Sequence, residues 1–560
     1  MVKITIDGRE YAVDGTLTII QAAEQNGIAI PHFCWHPRLP VAGNCRICLV
    51  EVEKMPKLVI ACATTVADGM VVKTKSEKVI NARQAVMEFL LINHPLDCPI
   101  CDEAGECKLQ DYAYRYSVGI SRFDFEKVRK PKRVELGPNV MLDVERCIMC
   151  SRCIRFCDTI AKKPQLVFSQ RCDHVVLTTF PGEQLDNPYS MNTIDICPVG
   201  ALTSRDFRFK ARVWEMSSTD SICPGCARGC NIKMWVRNNT ILRQTPRLNP
   251  QVNDHWMCDH GRLNTFKFIN AENRIKAPMI RKDGQCVDVG WDEAIARVVS
   301  ELKSFKKHEI AGIGSPFATN EDNYLFVKLM RQLGIVNIDM RDYTVPAVED
   351  DILIRADKTP NRLGAREVGV KPGTNGLVID GIIKGIREGT IKVLYCLDDH
   401  LAMDPAIAEV LPKLHFLVVH ASNENELTGL ADVVLSSATH AERHGTLTNF
   451  QAQVQRLRPA VMTIEQDRAL DGFTMSRLDK FGAPNDRWTK GPRRDARPAW
   501  RIMMSIANAL GVKWKYASAE DVFSEIASSV DSFKGMSYLK IGPKGMKLKK
   551  EIKETVTARV

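Results

Sequence analysis

The chain lacks any apolar run near the roughly 18–20 residues that a bilayer-spanning helix needs, so no segment reads as transmembrane. No secretory or transit leader is expected, because the first residues, Met1-Val2-Lys3-Ile4-Thr5-Ile6, run straight into strand-like alternation. The expectation is a chain that stays where it is made, or a mature form. No P-loop and no complete G-x-G-x-x-G occurs; Gly312, Gly314, Gly373 and Gly376 fit neither, which leaves phosphate binding weakly signalled. Charge of one sign is scarce as well. The 77 Lys and Arg against 67 Asp and Glu leave a net +10 over 560 residues. The densest basic run, Lys127 to Arg133, contains a proline and reads as a solvated linker rather than a nucleic-acid surface.

What the chain has is cysteine: 19 of them, clustered as C-x2-C groups. In a chain without a leader that clustering means metal ligation rather than a disulfide framework. With 45% hydrophobic and 26% charged residues the chain is a soluble globular protein, and its length implies about three to five domains.

The densest stretch runs from His94 to Cys107. His94, Cys98, Cys101 and Cys107 form H-x3-C-x2-C-x5-C, one imidazole and three thiols that could hold a [4Fe–4S] cluster or zinc. The neighbouring cysteines favour iron. Upstream, Cys34, Cys45, Cys48 and Cys62 are spaced C-x10-C-x2-C-x13-C behind a hairpin around Asp7-Gly8 and a helix capped at Thr16 or Thr18 that stops at Gly27. That order of strand, helix and cysteine loop is the order of a plant-type ferredoxin, with stretched spacing, and points to [2Fe–2S]. Ala42 and Gly43 leave room for backbone N–H groups to approach the sulfurs. Residues 77–93 have helical apolar spacing and would deliver His94. The His94 loop then reads as the second in a row of clusters.

Downstream, Cys147, Cys150, Cys153 and Cys157 form C-x2-C-x2-C-x3-C, but Asp158 follows Cys157 and the Cys-Pro pair stands at Cys197-Pro198. A second run ending at Cys197 would need ligands at positions held by Asn187, Ser190 and Thr193. One [4Fe–4S] cluster on Cys147, Cys150, Cys153 and Cys197 remains, with Cys157 and Cys172 as buried free thiols. The last group, Cys223, Cys226, Cys230 and Cys258 (C-x2-C-x3-C-x27-C), reads as a further [4Fe–4S] site, with Gly225 and Gly229 freeing the loop and two short strands meeting at Asn238-Asn239.

Beyond residue 270, strands at 309–315, 336–340, 393–397 and 416–420 alternate with helices such as 320–333, giving an α/β domain with a largely parallel sheet. Cys286 is isolated, and Cys396 belongs to the core. From about 465 the chain turns basic, with one helix over 499–510 and a loosely ordered tail after Lys534. The fold class is thus multidomain α+β and α/β. Its parts are a [2Fe–2S] ferredoxin-type domain (1–78), a His-ligated [4Fe–4S] domain (79–125) and a [4Fe–4S] ferredoxin-like domain (135–212), then a further [4Fe–4S] domain (216–272), an α/β domain (273–465) and a basic C-terminal extension (466–560).

These four groups in this order resemble the large iron–sulfur subunits of NADH:quinone oxidoreductase, respiratory complex I, in their bacterial G-type form. Iron hydrogenases and some formate dehydrogenases share part of the order and supply the alternative reading. The stretch Glu442 to Gln455 is similar to one typical of molybdopterin oxidoreductases, as is the group that opens the second half. Two cysteines follow Cys258, too few for a hydrogenase cluster, and neither Cys286 nor Cys396 sits at a molybdenum-ligand position. The resemblance implies one [2Fe–2S] and three [4Fe–4S] clusters, no molybdopterin and no catalytic residue. It implies a bacterial source and a flavin-bearing, NADH-oxidising partner subunit. A quinone-side iron–sulfur partner would take the electrons, with no nucleic acid involved. It also implies a peripheral position on the cytoplasmic face of the inner membrane, with membrane contact only through partner subunits.

Overall fold

The computed structural model describes residues 1–465 and 491–549, which fall into two compact units, Met1–Glu215 and Met216–Val560. In the first unit β1 (Val2–Ile6) pairs antiparallel with β2 (Arg9–Val13), and the turn between them places Asp7 and Gly8 at positive φ, 47° and 82°. That is the geometry an Asp-Gly hairpin supplies at least strain. With β3 (Leu49–Val52), β4 (Val59–Ile60) and β5 (Met70–Lys73) these strands form one five-stranded sheet in the order β2-β1-β5-β3-β4. Helix α1 (Ile19–Gln25), with Thr18 and Gln21 forming a capping box, buries Ile19, Ile20, Ala22 and Ala23 against it.

Helix α2 (Glu77–Leu91) and helix α3 (Lys108–Tyr116) flank the His94–Cys107 loop. The third part is built from β6 (Val134–Glu135), β7 (Val140–Leu142) and β10 (Leu202–Ser204) in one sheet, the hairpin of β8 (Leu166–Ser169) and β9 (Val176–Thr179), and helix α4 (Arg152–Thr159).

The second unit opens with β11 (Ser217–Ile222), β12 (Asn231–Arg237) and β13 (Thr240–Pro246) as an antiparallel meander. Asn238 and Asn239 turn the β12–β13 hairpin at φ 53° and 56°. A seven-stranded sheet follows. The strands Asn337–Asp339, Ile310–Ile313, Val393–Cys396, Phe416–Ala421 and Val433–Ser436 run parallel in that spatial order, and the hairpin Met279–Lys282/Gln285–Asp288 adds antiparallel at the far edge.

Both faces of this sheet are covered, which is why its strands read as continuous apolar runs. Val393 and Tyr395 face one core with helices Trp291–Ser304 and Asn320–Gln332, whereas Leu394 and Cys396 face the other with helix Ile379–Arg387. Cys396 is a core residue, as its apolar strand implied.

The C-terminal expectation needs correcting. Helix Ala499–Ala509 forms where a helix was foreseen, but the segment after it is not loose: Phe523, Phe533, Met536, Tyr538, Ile541 and Leu548 are buried in the first of these cores. Residues 491–549 therefore complete the α/β layer instead of extending beyond it. The basic average over the whole C-terminal region concealed helix Ala519–Ser529, which has no Lys or Arg and buries Val522, Phe523 and Ile526 on one face. The part of the expected extension at 466–490 and from 550 lies outside the described residues.

Tyr538 donates to Glu321 Oε1 at 2.9 Å, and Thr446 donates to the same carboxyl through its N–H (2.8 Å) and its hydroxyl (3.0 Å). Complete burial pushes the Glu321 carboxyl up from 4.5 to about 7. The folded state then keeps a proton that the unfolded chain releases between these pH values, so stability falls as pH rises from about 4.5 to about 7. Glu321→Gln is expected to flatten that dependence and to stabilise the protein by up to about 3 kcal/mol at pH 8, read as thermal unfolding against pH.

Candidate iron–sulfur sites

Each cysteine group predicted from spacing comes together in space. Around Cys34 the thiols of Cys45 and Cys62 lie within hydrogen-bonding reach of its sulfur, and Cys48 within reach of Cys62. The backbone N–H groups of Asn44 and Cys45 also point at Cys34 Sγ, with Gly43 at φ 65° admitting the approach. These donors hold the Cys34 thiol well below the usual range, while Cys45 and Cys62, which share their protons with it, are pushed up.

The second cavity is lined by His94, Cys98, Cys101 and Cys107 together with Arg146 and Gly200. Helix α2 ends three residues before His94, the 3-10 turn Cys98–Ile100 presents Cys98, and Cys107 caps helix α3. Burial, with Arg146 and Lys127 nearby, lowers His94 to about 4, so its imidazole is neutral at pH 7 and free to offer a lone pair. Burial pushes the Cys107 thiol up to about 12.

The third cavity is lined by Cys147, Cys150, Cys153 and Cys197. Burial raises all four, Cys147 to about 12. Cys157 is buried on the same helix as Cys153 but does not line this cavity. Cys172, expected to be buried, is exposed instead: it sits at φ 52° in the short turn Cys172–His174 between the β8 and β9 strands.

The fourth cavity, in the second unit, is lined by Cys223, Cys226, Cys230 and Cys258 with Gly225, Gly229, Gly261 and Leu353. Here the stretch Glu442 to Gln455 has a structural role. Asn449 Nδ2 donates to the Arg228 carbonyl (3.1 Å), Phe450 N–H to Ala227 (3.0 Å) and Gln455 Nε2 to Gly229 (2.9 Å), fixing the cysteine loop from outside.

The spatial order departs from the order along the chain. The Cys147 group, not the His94 group, lies beside the Cys34 group: Asn44 Nδ2 donates to the Met149 carbonyl at 3.0 Å, and Arg155 Nη2 to the carbonyls of Cys34 (2.6 Å) and Cys150 (3.1 Å). The Cys147 group also shares a wall with the His94 group. Cys197 and Val199 line one cavity and Gly200 the other, while the Cys107 thiol points at the Pro198 carbonyl, 3.9 Å away. In the first unit the Cys147 group is therefore the middle one. Sequence spacing could not show this, because proximity in space is set by segment 197–202 folding back.

The donor sets fit iron–sulfur clusters. They are soft sulfurs with one neutral imidazole, and the backbone against them is kept bare. A Cβ on Gly200 would collide with Cys101 Sγ, and one on Gly261 would lie 3.0 Å from Cys223 Sγ and 3.3 Å from Cys258 Sγ. No sequence signal marked Gly200 or Gly261. Gly200→Ala is expected to lower bound iron by one cluster while leaving the other sites filled, as measured by iron and sulfide content. Cys157→Ala should leave every paramagnetic signal of the reduced protein intact, whereas Cys197→Ser should lose or alter one.

Comparison with known proteins agrees part by part. Residues 1–77 match a 2Fe-2S iron-sulfur cluster binding domain, 83–122 the NADH-ubiquinone oxidoreductase-G iron-sulfur binding region, and 137–203 the ferredoxin-like domain of NADH-quinone oxidoreductase subunit 3. Residues 216–269 match the molybdopterin oxidoreductase Fe4S4 domain and 274–347 molybdopterin oxidoreductase. The NADH-quinone oxidoreductase G subunit of Rickettsia bellii is 42% identical over 410 residues, 71% of this chain and 59% of the relative. The Rickettsia felis protein of the same name is 43% identical over 61% of this chain and 51% of its own length. The mitochondrial NADH-ubiquinone oxidoreductase 78 kDa subunit of Neurospora crassa is 40% identical over 60% of this chain and 45% of its own. The chain thus spans about half the length of the curated relatives it matches. Over the matched stretches it is similar to the G subunits of NADH-quinone oxidoreductase.

Proposed function

We propose that the chain is an electron-carrying subunit of an NADH:quinone oxidoreductase. In this reading it holds one [2Fe–2S] cluster on Cys34, Cys45, Cys48 and Cys62 and three [4Fe–4S] clusters on the His94, Cys147 and Cys223 groups. The observation that carries it is the convergence of sixteen ligand side chains into four separate sets, three of them adjacent in one unit. When bound, such clusters supply one-electron redox sites at potentials set by ligand type, burial and hydrogen bonds to sulfur.

The chain's own residues do the rest. Buried thiols give up their protons as iron binds, so assembly is coupled to proton release. A neutral imidazole at His94 in place of a thiolate makes that centre less negative and raises its potential. Amide donors at Cys34 do the same there. Ile148, Phe168, Leu177, Val199 and Leu202 line the Cys147 cavity and keep it dry. The second unit contributes its own cluster site and an α/β domain that carries no molybdopterin and no catalytic residue.

A flavin-bearing NADH-oxidising partner would deliver electrons, and a quinone-side iron–sulfur partner would receive them, with the Cys147 group between the other two sites of the first unit. Exposed Phe89, Leu96, Ile100, Tyr114, Ile120 and Phe125, gathered in the sequence around the His94 loop, suit burial against such partners. No helix among the described residues is long and apolar enough to cross a membrane. The chain would then be held through partners at the cytoplasmic face of a bacterial inner membrane.

Metal analysis and low-temperature spectroscopy test the reading. The purified chain is expected to be brown, with iron and sulfide for all four clusters, neither molybdenum nor tungsten, and no formate oxidation. Zinc in place of iron, or a pterin-bound metal, would refute it.

A further inference from the structure

Arg152 stands at the junction of two cluster sites. It opens helix α4 next to the ligand Cys153, and its side chain is buried at 4% exposure. Its Nη2 donates to the carbonyl of Trp35, which follows Cys34, and its Nη1 to the carbonyl of Ile196, which precedes Cys197 (3.0 Å). One guanidinium therefore ties the first loop of the [2Fe–2S] group to the last ligand segment of the Cys147 group.

Arg152 is also short of a counter-charge. Its Nε is buried with no hydrogen-bond partner among the described residues, and no carboxylate there forms an ion pair with it. The groups placed to supply a counter-charge are the sulfurs of Cys150, Cys197 and Cys34, drawn from both sets. Lys108, beside the ligand Cys107, adds a second cation to the same interior and is repelled by Arg152. A buried charge with no partner is strongly destabilising, so this arrangement makes physical sense once both sulfur sets carry net negative charge. Arg155 repeats the bridging one turn on, with hydrogen bonds to Pro40, Cys34 and Cys150, but it is less deeply buried, and solvent screens it more.

We propose that Arg152 is the shared counter-charge of the [2Fe–2S] and Cys147-group clusters, a positioning residue that clamps their loops together and raises the reduction potential of both. A fixed positive charge stabilises the more negative, reduced form of each centre, and the low dielectric of the site magnifies that effect. The inference rests on the iron–sulfur reading above.

The test is a redox titration of the purified full chain, wild type against Arg152→Gln and Arg152→Lys, followed by paramagnetic resonance with iron and sulfide measured on each sample. Gln keeps a hydrogen-bond donor and removes the charge; Lys keeps the charge and loses the two-carbonyl bridge. With iron retained, Arg152→Gln should shift both clusters toward the oxidised form by about tenfold at a fixed poise, about 59 mV for a one-electron couple. Arg152→Lys should stay close to wild type. If Gln and Lys behave alike, whether both leave the potentials unchanged or both lose the clusters, the charge is not the operative feature and the proposal is overturned. A shift in one cluster alone would overturn the shared role. A wild-type chain without iron would instead remove the reading on which the proposal stands, and the iron assay shows which of the two has failed.

Discussion

Sulfur atoms must converge on a point while the backbone that carries them stays dry and keeps its hydrogen bonds. The rest of the chain is arranged around that demand. Thiols gathered with little water resist losing their protons, as the raised Cys107, Cys147 and Cys258 show. They become thiolates only when a cation of high charge draws the protons off and offsets their mutual repulsion. What keeps them assembled meanwhile is the surrounding scaffold: a five-stranded sheet under the Cys34 loop, two helices framing the His94 loop, and the paired β7 and β10 strands, which bracket the Cys147 group along the chain.

The second unit meets the same demand with different material. Its cysteine loop is short, and it is held from outside by Asn449, Phe450 and Gln455, which belong to the turn and second strand of the hairpin Gly445–Thr448/Gln453–Leu457. That hairpin is anchored in turn by Glu321, Asn320 and Asn361 around the start of helix Asn320–Gln332. Polar side chains that would be costly if unpaired are here satisfied by one another. Buried Arg274 and Glu442, at 2.9 Å, close the same region. A domain shape shared with molybdopterin oxidoreductases thus supports a cluster loop, and the support comes from the stretch that carries the resemblance.

Much of this was legible in the sequence where chemistry is local. Asp7-Gly8 and Asn238-Asn239 fix their hairpins because few other pairs tolerate two consecutive positive φ values. Spacing grouped the His94 and Cys223 sets as the cavities do, whereas preferring Cys197 to Cys157 took the Cys197-Pro198 pair as well. What stayed hidden depends on distant segments meeting. The central place of the Cys147 group, the bare backbone at Gly200 and the clamp at Arg152 all arise where residues far apart in the chain touch. The packing of residues 519–549 was hidden for a related reason: the basic character averaged over the C-terminal region masked the acidic, apolar-faced stretch 519–533, which registers only against a partner helix. Cys172 shows the reverse error, a lone cysteine taken for core although its place in a turn leaves it in solvent.

Segment 197–202 stands between two compartments: Cys197, Val199, Ala201 and Leu202 line one, and Gly200 lines the other. A partition of that kind has no slack. Adding or removing one residue would carry Gly200 away from Cys101 Sγ and bring a side chain to a place where even a Cβ has no room. Its length is consequently fixed to the residue, and the thinness that brings the two chambers together forbids it to vary.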